Sequence, residues 1–206
     1  MTRPLVAGAA VVAVVASTAA AAPEQATIFS RGPFTLYGSV PTDKADEIVT
    51  VQAKDCGAPT PAFRDVAEAR TQEGGTWSVE FSTGITSTLR AVWKDHVSPS
   101  ITVRQRASVH LAQLASGRQF RVTVRGKRQF WRKRVLVQRF DRRLGAWKLV
   151  KAVVLMETGG FPGYGGAATW ADFRLSLPRG TLVRAVFPRS QASPCYLGGV
   201  SKLVRK

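Results

Sequence analysis

The stretch GGTWSVEFS at residues 74–82 alternates large apolar side chains with small or charged ones. In an extended chain Trp77, Val79 and Phe81 point to one face, and the polar residues between them point to the other. A period of two over six residues predicts a strand with one face in a core. The stretch LRAVW at residues 89–93 has the same pattern, with its odd-numbered residues inward.

Both stretches belong to a unit that occurs twice. The sequence FTLY at 34–37 precedes VTVQ at 49–52 with the spacing at which FRVT at 120–123 precedes VLVQ at 135–138, so both offsets are 86. Further along, with offsets of 93, 94 and 95, Thr76-Trp77 recurs as Thr169-Trp170, Arg90–Trp93 as Arg184–Phe187, and Ser98-Pro99 as Ser193-Pro194. Because the matches keep their order and the offset only grows, the sequence predicts a duplication whose second copy gained loop residues.

Each copy has the composition of an all-β domain, with short runs rich in Val, Thr and aromatic residues between Gly, Pro, Ser and Asp clusters. We predict seven strands in each copy: 27–30, 34–40, 47–54, 65–71, 76–82, 87–94 and 100–104, then 108–113, 119–125, 133–140, 147–155, 168–175, 180–188 and 198–204. Seven short strands with regular turns are typical of an immunoglobulin-like sandwich, and a barrel is the alternative.

The order GGTWS at 74–78, LRAVW at 89–93 and Ser98-Pro99 resembles the tandem immunoglobulin-like repeats of secreted bacterial surface proteins. The resemblance spans nearly all of the chain that follows residues 1–21. It implies two tandem seven-stranded, Greek-key-type β-sandwich domains, at 27–104 and 107–206. Such modules act as spacers, stalks or binding domains without an active site, so the resemblance indicates fold more than function. Unlike antibody domains, neither copy has its own cysteine pair.

Residues 1–21 have the pattern of a secretory signal peptide. Arg3 is followed by the apolar run 5–15 and by small residues, with an Ala-x-Ala cleavage site after Ala21. The run is shorter than the roughly 20 residues that span a bilayer, which favours cleavage over the alternative, a retained anchor. We therefore expect an exported, secreted or envelope-associated protein with no transmembrane segment in the mature chain.

Cys56 and Cys195, the two cysteines of the chain, are a candidate disulfide. Counting alternate strand directions places the loop that holds Cys56 at the exit of the first domain. The same count places the loop that holds Cys195 at the facing end of the second, so the domains would stack end to end. An oxidising compartment permits the bond. Two unpaired thiols, or contacts with another chain, are the alternatives.

Residue types for catalysis are scarce in this sequence. Its two histidines, His96 and His110, have no metal-ligand spacing to each other or to a cysteine. The glycine-rich segment 159–166 has no following helix or lysine and is predicted to be a flexible loop. The acidic residues within 43–47 lack the full calcium-ligand pattern. We expect no catalytic residue, no metal and no cofactor. The alternative is a small secreted carbohydrate-active or other hydrolase with an acid pair across the domains.

The net charge of +17 is unevenly distributed. Residues 1–104 contain 9 Lys+Arg and 10 Asp+Glu, whereas residues 105–206 contain 21 and 3. The densest run supplies the candidate polyanion-binding residues Arg125, Lys127, Arg128, Trp131, Arg132, Lys133 and Arg134. Cations with an embedded aromatic ring suit an anionic wall polymer, an acidic polysaccharide or a phospholipid surface. Nucleic acid is a less natural partner for an exported chain. A plain solvated face is the alternative.

The sequence also predicts where the tryptophans lie. Trp77 and Trp93 are expected in the core of the first domain, Trp147 and Trp170 in that of the second, and Trp131, among cations, at the surface. Trp170 shares the face of the apolar residues that follow it only if a bulge interrupts its strand.

Overall fold

Strands account for most of the regular structure in the computed structural model, which describes residues 11–15, 27–30, 33–60, 62–114, 117–161 and 166–206. The chain divides into two compact units, Met1–Gln105 and Arg106–Lys206, called here the first and the second unit. The predicted cleavage site at Ala21 lies outside the described residues. Processing of the signal segment therefore stays a prediction.

Within its described residues the first unit contains nine strands: β1 (Val11–Val15), β2 (Thr27–Ser30), β3 (Phe34–Ser39), β4 (Ile48–Asp55), β5 (Arg64–Arg70), β6 (Thr76–Phe81), β7 (Ser87–Trp93), β8 (His96–Val97) and β9 (Ile101–Gln105). A 3-10 turn at Glu73–Gly75 precedes β6. One sheet has the order β1-β3-β6, and the other has the order β2-β9-β7-β4-β5 with β8 paired to β7.

The core of the first unit lies between these sheets. Trp77 and Trp93 are 4% and 7% exposed, and Leu89 and Ala91 are buried beside them, which confirms the inward row predicted for this copy. The indole of Trp93 keeps its hydrogen bond on burial, because Nε1 donates to Glu47 Oε2 at 2.8 Å.

The described part of the second unit contains the strands β10 (Ser108–Gln113), β11 (Gln119–Gly126), β12 (Arg134–Asp141), β13 (Ala146–Val154), β14 (Glu157–Phe161), β15 (Gly166–Arg174), β16 (Leu182–Phe187), β17 (Gly199–Val200) and β18 (Val204–Arg205), and a one-turn helix α1 (Arg189–Ala192). One sheet has the order β10-β11-β15-β14. The other has β13-β12-β16, with β17 and β18 both on β16. This strand order is that of an immunoglobulin-like sandwich with one added strand, β13.

The two units differ at the edge of the smaller sheet. In the second unit β10 runs antiparallel to β11 along this edge. In the first unit the same edge, on β3, is paired in parallel with β1, which lies inside the predicted signal peptide. The strand β2 pairs instead with β9 of the larger sheet, also in parallel.

The predicted glycine-rich loop is in part a strand, so that prediction is wrong for residues 159–161. Gly159 and Gly160 pair with Ala168 and Ala167 of β15. A Cβ added at Gly159 would lie 3.1 Å from the Trp170 ring. Glycine is therefore favoured here because it makes room for an aromatic side chain on the neighbouring strand.

The predicted core position of Trp170 is wrong. The register between β11 and β15 continues without a shift from Gly126↔Ala167 to Gln119↔Arg174, so the bulge that this position required is not formed. Ala171 and Phe173 are buried, and Trp170 lies half-buried on the other face, where its Nε1 donates to Glu157 Oε2 at 2.8 Å.

The cause is a one-residue error in the sequence alignment of the copies. Leu36 pairs with Val79, and its counterpart Val122 pairs with Ala171, so the offset between β6 and β15 is 92. The counterpart of Trp77 is therefore Thr169, which is fully buried. A slip of one residue moves every side chain of a strand to the opposite face.

Trp147 is also outside the core, contrary to the prediction. It is half-buried on β13, 5.4 Å from the Phe140 ring and beneath the Arg184 guanidinium at 4.1 Å. Among the described residues of the second unit, the buried aromatic side chains are instead Phe120, Phe130, Phe173, Phe187 and Tyr196. Trp131 is exposed as predicted.

The repeat that follows β7 and β16 also needs a correction. Ser98 Oγ accepts a hydrogen bond from the backbone N–H of Ala91 at 2.8 Å. Its structural counterpart is Ser201, whose Oγ accepts from Ala185 N–H at 2.9 Å, and not the exposed Ser193. In the second unit α1 lies between β16 and β17, whereas β7 of the first unit is followed closely by β8. The serine therefore lies further along the sequence in the second unit.

Candidate polyanion interface on the second unit

The predicted polyanion-binding residues form a loop between β11 and β12, called here the basic loop (residues 125–134). The side chains of Arg125, Lys127, Arg128, Trp131, Arg132, Lys133 and Arg134 are all exposed. They lie on one short connection and its two strand ends. Six cations and one indole are therefore accessible to a large partner on this loop.

The backbone of the basic loop is anchored to the rest of the second unit. Three of its N–H groups donate to side chains outside it: Lys127 to Tyr196 Oη (2.7 Å), Phe130 to Thr169 Oγ1 (2.9 Å) and Arg134 to Gln191 Oε1 (2.9 Å). Two backbone hydrogen bonds with Leu155, one from Arg132 and one to Lys133, attach its far half. These bonds order the loop before any partner binds, which reduces the entropy lost on binding.

The two aromatic residues of the basic loop have different roles. Phe130 is buried, with its ring centroid 5.1 Å from those of Phe187 and Tyr196, so it fixes the loop to the core. Trp131 is 48% exposed, and the Arg132 guanidinium lies 4.3 Å from its ring centroid. An exposed indole under a cation offers both a stacking surface and a charge.

Arg139, Arg142 and Arg143 follow the basic loop closely in sequence but lie apart from it in space. They are at the other end of β12, in and beside the turn into β13. Eight strand residues separate the ends by about 25 Å. The second unit therefore presents two basic regions and not one continuous run.

The carboxylates of the second unit are engaged by neighbours. Asp172 accepts from Arg121 Nε at 2.6 Å and from Nη2 at 2.8 Å. The hydrogen bonds from Arg121 hold the pKa of Asp172 below its usual range, against a smaller effect of desolvation. Glu157 accepts from the Trp170 indole as described above.

Asp141 is engaged in the same way. Its Oδ2 lies 3.0 Å from Lys148 Nζ, and its Oδ1 accepts from the backbone N–H groups of Arg143 at 3.1 Å and Leu144 at 3.4 Å. The bond from Lys148 is the main cause that lowers the pKa of Asp141. This carboxylate organises the β12–β13 turn.

The remaining candidates of the first unit are ordinary surface groups. His96 is exposed and stacks on Trp93 with centroids 5.5 Å apart. Glu47, from the acidic segment 43–47, accepts from Lys94 at 3.1 Å as well as from Trp93, and the bond from Lys94 lowers its pKa. Among the residues that the structure describes, no three His, Cys, Asp or Glu side chains are grouped closely enough to hold a metal ion.

Both cysteines are disulfide-bonded, so neither Cys56 nor Cys195 is a free thiol. Cys195 is buried and directly precedes Tyr196, the residue that anchors the basic loop. No helix in the described part of the chain has the length and apolar character needed to cross a membrane.

No protein-family model matches this chain, and no curated protein matches it. Among solved structures the chain is similar to one from the crystal structure of ICOS in complex with ICOS-L and an anti ICOS-L VNAR domain. The two are 10% identical with a TM-score of 0.32, and the match covers 86% of this chain and 98% of that chain.

Proposed function

We propose that this protein is a secreted or envelope-associated, non-enzymatic binding module whose second unit contacts anionic polymers or surfaces. The observation that carries the proposal is the basic loop, in which six exposed cations and Trp131 lie on a backbone held by three side-chain hydrogen bonds. Electrostatic attraction to a polyanion is long-ranged and needs no deep pocket.

The placement of the acids also supports a binding role. In the second unit Asp141, Glu157 and Asp172 each accept a hydrogen bond from a neighbouring side chain. A glycoside hydrolase with an acid pair would need two carboxylates facing one bond, with one of them kept protonated by its surroundings. The pKa values of Asp141 and Asp172 are instead lowered, so both stay ionised at neutral pH.

The test is binding of the exported chain to a phosphate polymer, an acidic polysaccharide, anionic-lipid vesicles and a neutral polysaccharide over a range of salt. The triple variant Arg128→Gln, Arg132→Gln, Arg134→Gln should bind more weakly. The slope of log K against log salt should become less steep by about 2 to 3, because each cation that is removed no longer displaces a counterion from the polymer. Lys44, Lys54 and Arg70 are exposed on the first unit, and their substitution by Gln removes the same charge. Equal weakening by this control would contradict the assignment to the basic loop.

A further inference from the structure

A cavity of about 420 Å³ opens at the end of the second unit opposite the basic loop. It lies where the β12–β13 turn meets the segment before β16. Four of its nine lining residues are arginines, and one is acidic: Arg139, Arg142, Arg143, Arg179 and Asp141.

The first unit closes the corresponding end with apolar residues. Ala53 on β4 and Arg139 on β12 are counterparts, because Ala53 pairs with Leu89 and Arg139 pairs with Val183, which are themselves counterparts. Ala53 is a buried core residue, whereas the side chain of Arg139 is 39% exposed.

The second difference lies before β7 and β16. Ala91 and Ala185 are equivalent positions of the two copies. Ile85 lies six residues before Ala91, and Arg179 lies six residues before Ala185. Ile85 is 1% exposed in the first unit, and Arg179 lines the cavity in the second. Two positions that fill a core end in one copy therefore carry guanidinium groups around an opening in the other.

The acid in the cavity is not an addition of the second unit. Asp55 and Arg64 form an ion pair at 3.0 Å in the first unit, at the positions that Asp141 and Lys148 occupy in the second. Asp141 thus has a structural role present in both copies. Its Oδ2 lies 3.0 Å from Lys148 Nζ and 4.0 Å from Arg139 Nη2, so one negative charge is shared between two cations and the surroundings of the cavity keep a net positive charge.

We propose that this cavity binds a phosphate-bearing anion, with Arg139 and Arg179 as principal ligands and Arg142 and Arg143 at its rim. A guanidinium donates two parallel hydrogen bonds to a phosphate, and four of them around one opening favour a group with several adjacent negative charges. The volume is within the range of small-ligand sites and suits one or two phosphate groups of a chain. This anion site is distinct from the basic loop and goes beyond the function proposed above.

The test is calorimetric titration of the full exported chain with tripolyphosphate, with citrate as a carboxylate of similar charge. The double variant Arg139→Ala, Arg179→Ile places in the second unit the residues with which the first unit closes its end. The matched control, Lys44→Ala, Lys54→Ala, removes the same charge from exposed positions of the first unit, outside both the basic loop and the cavity. A second cavity variant, Arg142→Gln, Arg143→Gln, leaves the core end unchanged and covers the case in which the first variant misfolds.

We expect each cavity variant to bind tripolyphosphate at least tenfold more weakly and the control to stay within about threefold of the parent chain. Any of three results would overturn the proposal: equal losses in the cavity and control variants, no tripolyphosphate binding by the parent chain below about 10 mM, or citrate binding as tight as that of tripolyphosphate. Long polymers that still bind through the basic loop in these cases would leave the proposed function intact.

Discussion

Arg184 Nε donates to Gln138 Oε1 at 2.9 Å, and Arg90 Nε donates to Gln52 Oε1 at 2.8 Å in the other unit. In both units the guanidinium also lies over an aromatic ring, that of Trp147 at 4.1 Å or of Phe63 at 3.9 Å. A register irregularity adjoins each glutamine, after Val137 and after Val51. The two copies therefore share a bulge, a hydrogen bond and a ring contact on the outer face of the larger sheet, which supports an origin by duplication.

This contact yields a stability prediction. Arg184→Met keeps the apolar stem and removes the hydrogen bond and the charge over Trp147, and we expect it to lower the free energy of unfolding by about 1 kcal/mol. Urea unfolding followed by circular dichroism measures the change. Arg90→Met should have a similar effect in the first unit, and a loss confined to one of the two variants would contradict their equivalence.

The two serines that could correspond to Ser98 should differ in their contribution to stability. Ser201→Ala removes the acceptor of the buried Ala185 N–H and should cost about 1 to 3 kcal/mol, because that donor then has no partner. Ser193→Ala, at the position that the sequence alone pairs with Ser98, should change stability by less than about 0.5 kcal/mol, since Ser193 is exposed. The opposite ranking in thermal unfolding would restore the sequence alignment.

The two tryptophans that the sequence aligns, Trp77 and Trp170, should contribute differently to the free energy of unfolding. Trp77→Ala leaves a large cavity in the core and should cost about 3 to 5 kcal/mol. Trp170→Ala removes a half-buried ring from an outer face and should cost under about 2 kcal/mol. Denaturant unfolding compares them, and similar losses would place Trp170 in the core after all.

These corrections show which features the sequence could supply. The strands around Phe34 and Val49, and their copies around Phe120 and Val135, could be aligned because several apolar residues repeat with one offset. The alignment failed at Trp170 because one matching Thr-Trp dipeptide outweighed the alternation of Ala171 and Phe173 around it. Side-chain identity is a weaker guide to register than the pattern of burial.

The cavity arginines could not be separated from the basic loop by counting charge along the chain. A signal was nevertheless present, because the offset of 86 aligns Arg139 with Ala53, which ends the alternating apolar row begun by Val49. An arginine at a core position of a repeat indicates a local opening in that copy. The three-dimensional proximity of Arg179 depends on the loop before β16 and has no such local pattern.

The ion pair on β11 and β15 predicts a pH dependence. The hydrogen bonds from Arg121 lower the pKa of Asp172 in the folded state. The stabilisation by this ion pair is therefore fully present above the unfolded pKa of about 3.9, and it is lost as the pH falls through the lower folded pKa. We expect NMR titration of Arg121→Gln to show the pKa of Asp172 raised towards that unfolded value. Arg118→Gln, an exposed neighbour on the chain, should leave it unchanged, and a shift of equal size there would indicate a general charge effect.

The two disulfide-bonded cysteines lie 139 residues apart in the sequence, at positions 56 and 195. We expect Cys56 and Cys195 to be joined to each other within one chain, so a non-reduced digest should contain one linked peptide and non-reducing electrophoresis should show a monomer. A closed loop of this length contributes about 4 to 5 kcal/mol in the chain-entropy model, so the Cys56→Ser, Cys195→Ser variant should unfold at a lower temperature. A covalent dimer would show that the bond joins two chains.

The bond should also affect the basic loop. Cys195 precedes Tyr196, whose hydroxyl accepts from the Lys127 backbone N–H at 2.7 Å. Freeing Cys195 loosens the segment that holds Tyr196, and the hydrogen bond protecting the Lys127 amide should open more often. We therefore expect faster hydrogen exchange at Lys127 in the double serine variant, with no change at Thr123 in the middle of β11. Unchanged exchange at Lys127 would show that the core contacts of Tyr196 hold the loop without the disulfide.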